Sequence, residues 1–544
     1  MAKAPAQKTG AKADAGGGHV WSPSRSAAGK YSPWLIVAII SIPTFMEVLD
    51  TSIANVALDH ISGGLSITTD QATWVLTSYL VANAIVIPIS GWLSDAIGRK
   101  RYFLLSIALF TLASLLCGLA PNIGTLVVAR VLQGIGGGGL APVEQSILAD
   151  TFPPEKRGMA FAAFAIVVVV GPVLGPTLGG YIVEYSSWHW VFLINVPVGI
   201  AAWFAVETFV DEPEQVKKDR DERFKNGLTI DYVGVALVAL GLGFLELTFD
   251  RGEREDWFAS GFIVMSAIIA AVSLVSLVIW ELNHKDPVID LKLMKNRNFA
   301  LTIGIMGVTG MILFGTTQLI PQMLQQVLGY SSLDAGLALT AGGLATLVMV
   351  PFAGRLSGLI DVRLLLFPAL LVQAFALWNM SHLTADIAFS DAAFARLFQA
   401  MALPFLFVPI NAIAYVGLKQ TQTAQASSLL NVSRNLGGTI GICFAQTQLA
   451  GGLQRHQSEL TQTLNPLDPN YNDWMQKAAG AFAGQGDPTT TPLAVLYSQM
   501  QRQATMLAFL DVFRAMMVVV LCVAPLVLFM RSGKTGGAPS GGMH

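Results

Sequence analysis

The sequence predicts an all-α polytopic membrane protein of fourteen transmembrane helices, built as two six-helix halves with two further helices inserted between them. Three observations lead there. Of 544 residues, 53% are hydrophobic and only 12% are charged, about half the charge of an ordinary soluble domain. The apolar residues fall in runs rather than in alternation, as in SPWLIVAIISIPTFM, RYFLLSIALFTLASLLCGLA and FIVMSAIIAAVSLVSLVIW, and runs of roughly 20 match the thickness of a bilayer core. Two short motifs also recur. GWLSDAIGRK from Gly91 returns as GRLSGLIDVR from Gly354, and ARVLQG around Arg130 returns as ARLFQA around Arg396, at nearly the same spacing. Two such pairs argue for a duplicated half.

The elements follow in order. Residues 1–33 are rich in Gly, Ala and Lys and have no short apolar core before a cleavage site, so they read as a disordered cytoplasmic tail rather than a signal peptide. The first half, 34–210, holds spans at 34–58, 71–93, 102–120, 124–148, 159–183 and 190–210. Residues 211–298 hold a charged linker and the inserted spans 231–249 and 259–281. The second half, 299–530, holds spans at 299–321, 334–354, 363–381, 391–415, 424–448 and 506–530. Its 449–505 segment is polar, Gln-rich and external, with LDPNYNDW and GQGDPTTTP reading as turns. A long loop of this kind is either functional or disordered. Residues 531–544 form a second disordered tail.

Basic residues set the sides. With the N-terminus inside, cytoplasmic segments hold 24 of the 33 Lys and Arg and external segments hold five. That asymmetry places both termini in the cytoplasm.

Composition also excludes. A net charge of −2 offers no field for nucleic acid. Cys117, Cys443 and Cys522 are far apart within spans and read as small buried hydrophobes. No Cys/His cluster suggests a metal, and no Ser/His/Asp set suggests an enzyme. GIGGGG at 134–139 follows no strand, so it is no nucleotide fingerprint. Gly533-Lys534-Thr535 lacks the upstream glycine of a phosphate loop, so ATP is not expected as the energy source.

The chemistry gathers at MEVLDTSIANVAL, Met46 to Leu58. A carboxylate facing lipid costs several kcal/mol, so Glu47 and Asp50 are expected to face protein or a wet cavity. Three residues apart, they are expected on one helix face. Asp50 lies about 24 Å along its helix from the cytoplasmic start, and Arg130 about 9 Å from the external start of its own. Those depths agree. Asp50 therefore reads as a proton-coupling site tuned by Arg130, with Glu47 a second acid one turn deeper; the alternative is an Asp–Arg pair that only locks two helices. Arg396 occupies the equivalent place in the second half, but the ninth span has no acid, so proton chemistry is expected in the first half. Asn55, Phe314, Gln318 and Asn411 are candidate substrate contacts. Glu144 is expected near the cytoplasmic end of the fourth span, as an attractor of cations at the inner mouth or as an interfacial carboxylate. Arg434, near mid-membrane, is a functional candidate by default.

Taken together, GWLSDAIGRKR, RVLQGIGGG, GPVLGPTLGG, LDTSIANVAL and WHWVFLINVPVG resemble the motifs of the major facilitator superfamily and of its fourteen-span drug:proton antiporters, the EmrB/QacA type. DRGEREDWFAS, LMKNRNF and the long loop before the last span resemble EmrB-type pumps. Two positions depart from the pattern: Ala96 stands where a basic residue is usual, and Asp59 where Pro is usual.

The resemblance implies the major facilitator fold in a bacterial inner membrane. It implies export of hydrophobic drugs driven by the proton gradient without a cofactor, together with a periplasmic membrane-fusion adaptor and an outer-membrane channel. It implies a cytoplasmic gate at Gly91, Asp95, Gly98 and Arg99. It also implies a hinge and proton seal at Gly171, Pro172, Gly175, Pro176, Gly179 and Gly180. The same machine exporting an endogenous lipid, fatty acid or siderophore is an alternative, and a non-transporting membrane sensor or scaffold is another.

Overall fold

The computed structural model describes residues 31–212, 217, 231–284, 286–464, 467–481 and 490–531. The N-terminal tail up to residue 30, most of the charged linker, most of GQGDPTTTP and the tail from residue 532 lie outside the described residues.

Thirteen helices among the described residues are long and apolar enough to cross a membrane. In the first half these are α1 (Pro33–Val56), α2 (Thr69–Ile97), α3 (Arg99–Gly118), α4 (Ile123–Thr151), α5 (Pro154–Tyr185) and α6 (Trp190–Phe209). The inserted pair is α7 (Tyr232–Arg251) and α8 (Gly261–Asn283). The second half has α9 (Arg297–Gln326), α10 (Asp334–Leu359), α11 (Val362–Met380) and α12 (Phe389–Ala414), then α13 (Thr423–Thr463) and α14 (Thr490–Phe529). Only α13 falls outside the thirteen. It is 41 residues long, but polar side chains interrupt it: Asn431, Arg434, Asn435 and Thr439. They occupy two faces of the helix. Arg434 looks toward the first half, where it lies over the Phe164 ring, and Thr439 looks toward α7.

The halves meet along two helix pairs, α5 with α10 and α2 with α13. Near the basic-rich end of the bundle these contacts are close. A Cβ on Gly91 of α2 would lie 3.1 Å from Ala424 O, Gln425 Cα and Ser428 Cβ of α13. The Ser428 hydroxyl donates to the Ile87 and Pro88 carbonyls at 2.9 Å. The Phe161 and Tyr415 rings stack at 5.3 Å across the same end. The bundle is closed there.

The opposite end departs from expectation. At 1.5 Å per residue, α13 is about 60 Å long, twice a bilayer core. It continues straight through 449–463, where the sequence predicts loop, and pairs with the start of α14. Gly452 packs on Ala508, and Gln457 hydrogen-bonds Gln501. LDPNYNDW is a helix rather than a turn, Pro469–Ala481. Pro469 is tolerated at a first helical position, where its N–H has no partner to lose, and Asp468 accepts from the Asn470 N–H at 2.8 Å. Turn-forming residues here start a helix.

The expectation of three buried cysteines holds for Cys117 alone: Cys443 is half-buried and Cys522 exposed.

Candidate functional site

Asp50 sits in a closed polar knot built by five helices of the first half. Arg130 Nη1 of α4 donates to its Oδ2 at 2.7 Å. Gln133 of α4 and Asn195 of α6 donate to its Oδ1 at 2.9 and 2.6 Å. Ser114 of α3 receives a second bond from each amide. Arg130 Nε reaches the Val75 carbonyl of α2 at 2.9 Å, and the guanidinium lies 4.3 Å from the Tyr79 ring centre. Both charged side chains are fully buried. An ion pair in low dielectric depends on its remaining lone pairs and protons being occupied; three donors fill the Asp50 carboxylate, while Arg130 Nη2 is buried without a hydrogen-bond partner among the described residues.

Glu47 does not share this environment, and the expectation of one common face is corrected. Three residues on an α-helix leave a difference of about 60° in direction. That turns Asp50 into the Arg130–Gln133–Asn195 knot and Glu47 to Tyr79 and Asn83 of α2, also in the first half. Glu47 is half-buried and accepts from Tyr79 Oη at 3.1 Å and Asn83 Nδ2 at 3.3 Å. Tyr79 therefore touches both acids' surroundings, its hydroxyl on Glu47 and its ring under Arg130. Outward along α1 from Glu47, Thr51 is half-buried and Asn55 exposed, an i, i+4 stripe of polar groups with growing access.

Glu144 is also corrected. It lies at neither an open mouth nor an interface but is completely buried. Its Oε1 accepts from the Ser41 hydroxyl of α1 at 2.6 Å. Two further turns of α4, out to Thr151, cover it from the basic-rich end. Arg434 of α13 comes toward Glu47 and Glu144 from the other half, and its charge acts on both. Its Nε donates to Asn435 at 3.3 Å, its guanidinium lies 5.9 Å from the Phe164 ring centre, and it makes no ion pair within 4 Å among the described residues. Two acids from one half thus face one cation from the other.

The second half repeats the knot without the acid. Thr316, Arg396 and Gln399 follow Asp50, Arg130 and Gln133 at one common spacing. Arg396 donates to Thr316 at 2.9 Å, to Thr317 at 3.0 Å and to Gln399 at 2.5 Å.

The remaining candidates divide. Phe314 is half-buried against Gly438 of α13, and Gln318 is exposed. Asn411 is buried with its amide donating to its own helix at Phe407 O, 2.8 Å, so it is placed as core rather than lining. In the antiporter motif, Gly171 faces Val48, Gly175 faces Ser52 and Gly179 faces Ile53, all on α1. Gly180 faces open space. Pro172 and Pro176 lie in an uninterrupted helix. Pro176 has no N–H to give the Pro172 carbonyl, and Ser52 Oγ supplies the missing donor at 3.3 Å.

At the loop motif, Gly98 turns the chain with φ +98°. Arg99 forms an ion pair with Asp150 at the end of α4 and donates to Thr423 of α13 at 2.9 Å. Asp95 lies in the last turn of α2. Tyr79, Ser114, Asn195 and Thr316 escaped the sequence reading because uncharged polar residues are common in spans. Asn195 did stand within the quoted WHWVFLINVPVG, and Gln133 within ARVLQG.

Residues 40–442 match the model of the Major Facilitator Superfamily. The chain is 35% identical over 511 residues to "Multidrug export protein EmrB" of Escherichia coli strain K12, covering 94% of this chain and 98% of that protein. It is 36% identical over 495 residues to "Fatty acid resistance protein FarB" of Neisseria gonorrhoeae, covering 91% and 95%. Its fold is similar to the solved structure of the proton:xylose symporter XylE, with a TM-score of 0.58, 13% identity and coverage of 94% and 98%.

Proposed function

Because the chain belongs to the Major Facilitator Superfamily and groups there with EmrB-type multidrug export proteins, we propose that this multi-pass inner-membrane protein expels hydrophobic toxic compounds in exchange for protons. The observation that carries the reading is the arrangement around Tyr79. One carboxylate, Asp50, is sealed against Arg130, and another, Glu47, stands half-buried within the same contact chain. A proton arriving at Glu47 weakens its bond from Tyr79, and Tyr79 packs on the guanidinium that holds Asp50. The basic-rich end is the cytoplasm, and Arg99, Asp150 and Thr423 latch the halves there. Energetically, one pH unit supplies about 1.4 kcal/mol per proton and 100 mV about 2.3 kcal/mol per charge, enough for useful drug accumulation. The outer ends of α13 and α14 are the docking surface for an adaptor that continues to an outer-membrane channel.

The test is drug-triggered proton movement in proteoliposomes, wild type against Asp50→Asn. Movement in the wild type that vanishes in the variant is expected. Equal movement in both would make the Asp50–Arg130 pair a structural lock. No movement in either, over a broad drug panel, would favour a sensor or scaffold.

Export of a fatty acid or related lipid is a second reading, favoured by Arg434, a buried cation with no ion pair within 4 Å among the described residues, which suits a substrate's acid group. Under that reading Arg434→Gln abolishes fatty-acid export and spares cationic drugs.

A further inference from the structure

The inserted helices hold a carboxylate that the site above does not use. Glu246 of α7 is buried, 3% exposed, and makes no ion pair among the described residues. It lies five residues from the outer end of α7, about 8 Å deep. The Thr439 hydroxyl of α13 stands 2.9 Å from Glu246 Oε1 and 3.2 Å from the Asn435 carbonyl. A neutral Glu246 fits this geometry: the carboxylic acid donates to Thr439 Oγ, and Thr439 donates to Asn435. A charged Glu246 would have the shared Thr439 hydroxyl and no cation within 4 Å among the described residues, which is costly within a span.

The surroundings agree. Three elements pack on α7. From α2 come Thr77, which binds Asp250, and Thr73, Trp74 and Asp70, which bind Arg251 further out. From α13 comes Thr439, with Arg434 five residues inward and turned to the central acids. On α8, Glu281 lies at the opposite end, beside Gly234. Asp250 lies one turn outward on the same helix.

The same contacts divide α7 between the two halves. Asp250 and Arg251 tie its outer end to α2 of the first half, while Glu246, one turn inward, reaches α13 of the second. α2 and α13 are one of the two helix pairs along which the halves meet, so a rocking motion that opens the cytoplasmic end shifts α13 against α2. With α7 held on α2, that step rearranges the Glu246–Thr439 contact.

We propose that Glu246 is a second proton-binding site, loaded in the closed-cytoplasm form and emptied when α13 shifts against α7. The proposal rests on the proton-exchange reading above and adds a proton to each cycle. It also gives the inserted pair a role, since α7 carries a carboxylate across the half interface.

The experiment measures protons moved per drug molecule in proteoliposomes for wild type, Glu246→Gln and Glu246→Asp. The amide of Glu246→Gln keeps the size of the side chain and a hydrogen-bonding partner for Thr439. The expected result is one proton fewer per drug with Glu246→Gln. Glu246→Asp should restore the wild-type count with an altered pH profile of transport. An unchanged proton count in the Gln variant, or, should that variant not fold, an unchanged pH profile in the Asp variant, overturns the proposal. A wild type that moves drug without protons overturns the exchange reading and this site with it. A wild type that moves protons while Glu246→Gln matches it overturns this site alone.

Discussion

Thr316 accepts the Arg396 guanidinium at 2.9 Å in the place where Asp50 accepts Arg130 at 2.7 Å. The duplicated halves share one arginine–glutamine clamp and differ in the group it closes on. The difference sets a stability contrast. Asp50→Val leaves a buried guanidinium without its counter-charge, at a cost of about 3–5 kcal/mol. Thr316→Val removes one hydrogen bond to a charged group, about 1.5–3 kcal/mol, with Gln399 and Thr317 still in place. Thermal unfolding in detergent should rank Asp50→Val well below Thr316→Val. The reverse order would refute the description of the two knots.

The antiporter motif gives a contrast within one helix. Gly175→Ala drives a methyl into Ser52, and overpacking of this kind costs about 1–3 kcal/mol. Gly180→Ala meets nothing within 4 Å and gains helix propensity of up to about 1 kcal/mol. Melting temperatures should fall for the first and hold or rise for the second.

Gly91 controls how closely α2 approaches α13. Gly91→Val forces the helices apart where a Cβ already stands 3.1 Å from backbone and side-chain atoms. The closed cytoplasmic end should open. A cysteine placed at Ser94, 1% exposed, should then react with a membrane-impermeant maleimide at least about tenfold faster, the equivalent of ~1.4 kcal/mol. An unchanged labelling rate would mean that the latch lies elsewhere.

Removing the paired outer ends of α13 and α14, joined instead by a short loop, should abolish drug resistance in cells while proteoliposome transport survives. Loss of both activities would show that the projection serves the fold rather than a partner.

Much of this was legible in the chain. Thirteen of fourteen spans announce themselves by apolar length, because a bilayer imposes one length on every crossing helix. The Asp50–Arg130 pair was legible from depth alone, since two rare charges at one level of one half have few other partners. Two things were not. The approach of Arg434 toward Glu47 and Glu144 depends on how the halves dock, and nothing local to any one helix encodes that. Glu47 was misdirected because side chains three residues apart share a helix face only to within about 60°, and that angle is enough to give the two acids different hydrogen-bond partners. The outer extension of α13 was hidden by its glutamines and threonines, which in water are as compatible with helix as with loop.

That extension has a mechanical consequence. A stiff rod rooted in one half and projecting about 22 Å beyond the bilayer is a lever. If its half tilts by roughly 10° during a cycle, the tip sweeps about 4 Å. A partner gripping the tip would feel each turnover as a push, so events at a buried carboxylate would arrive outside the membrane as displacement.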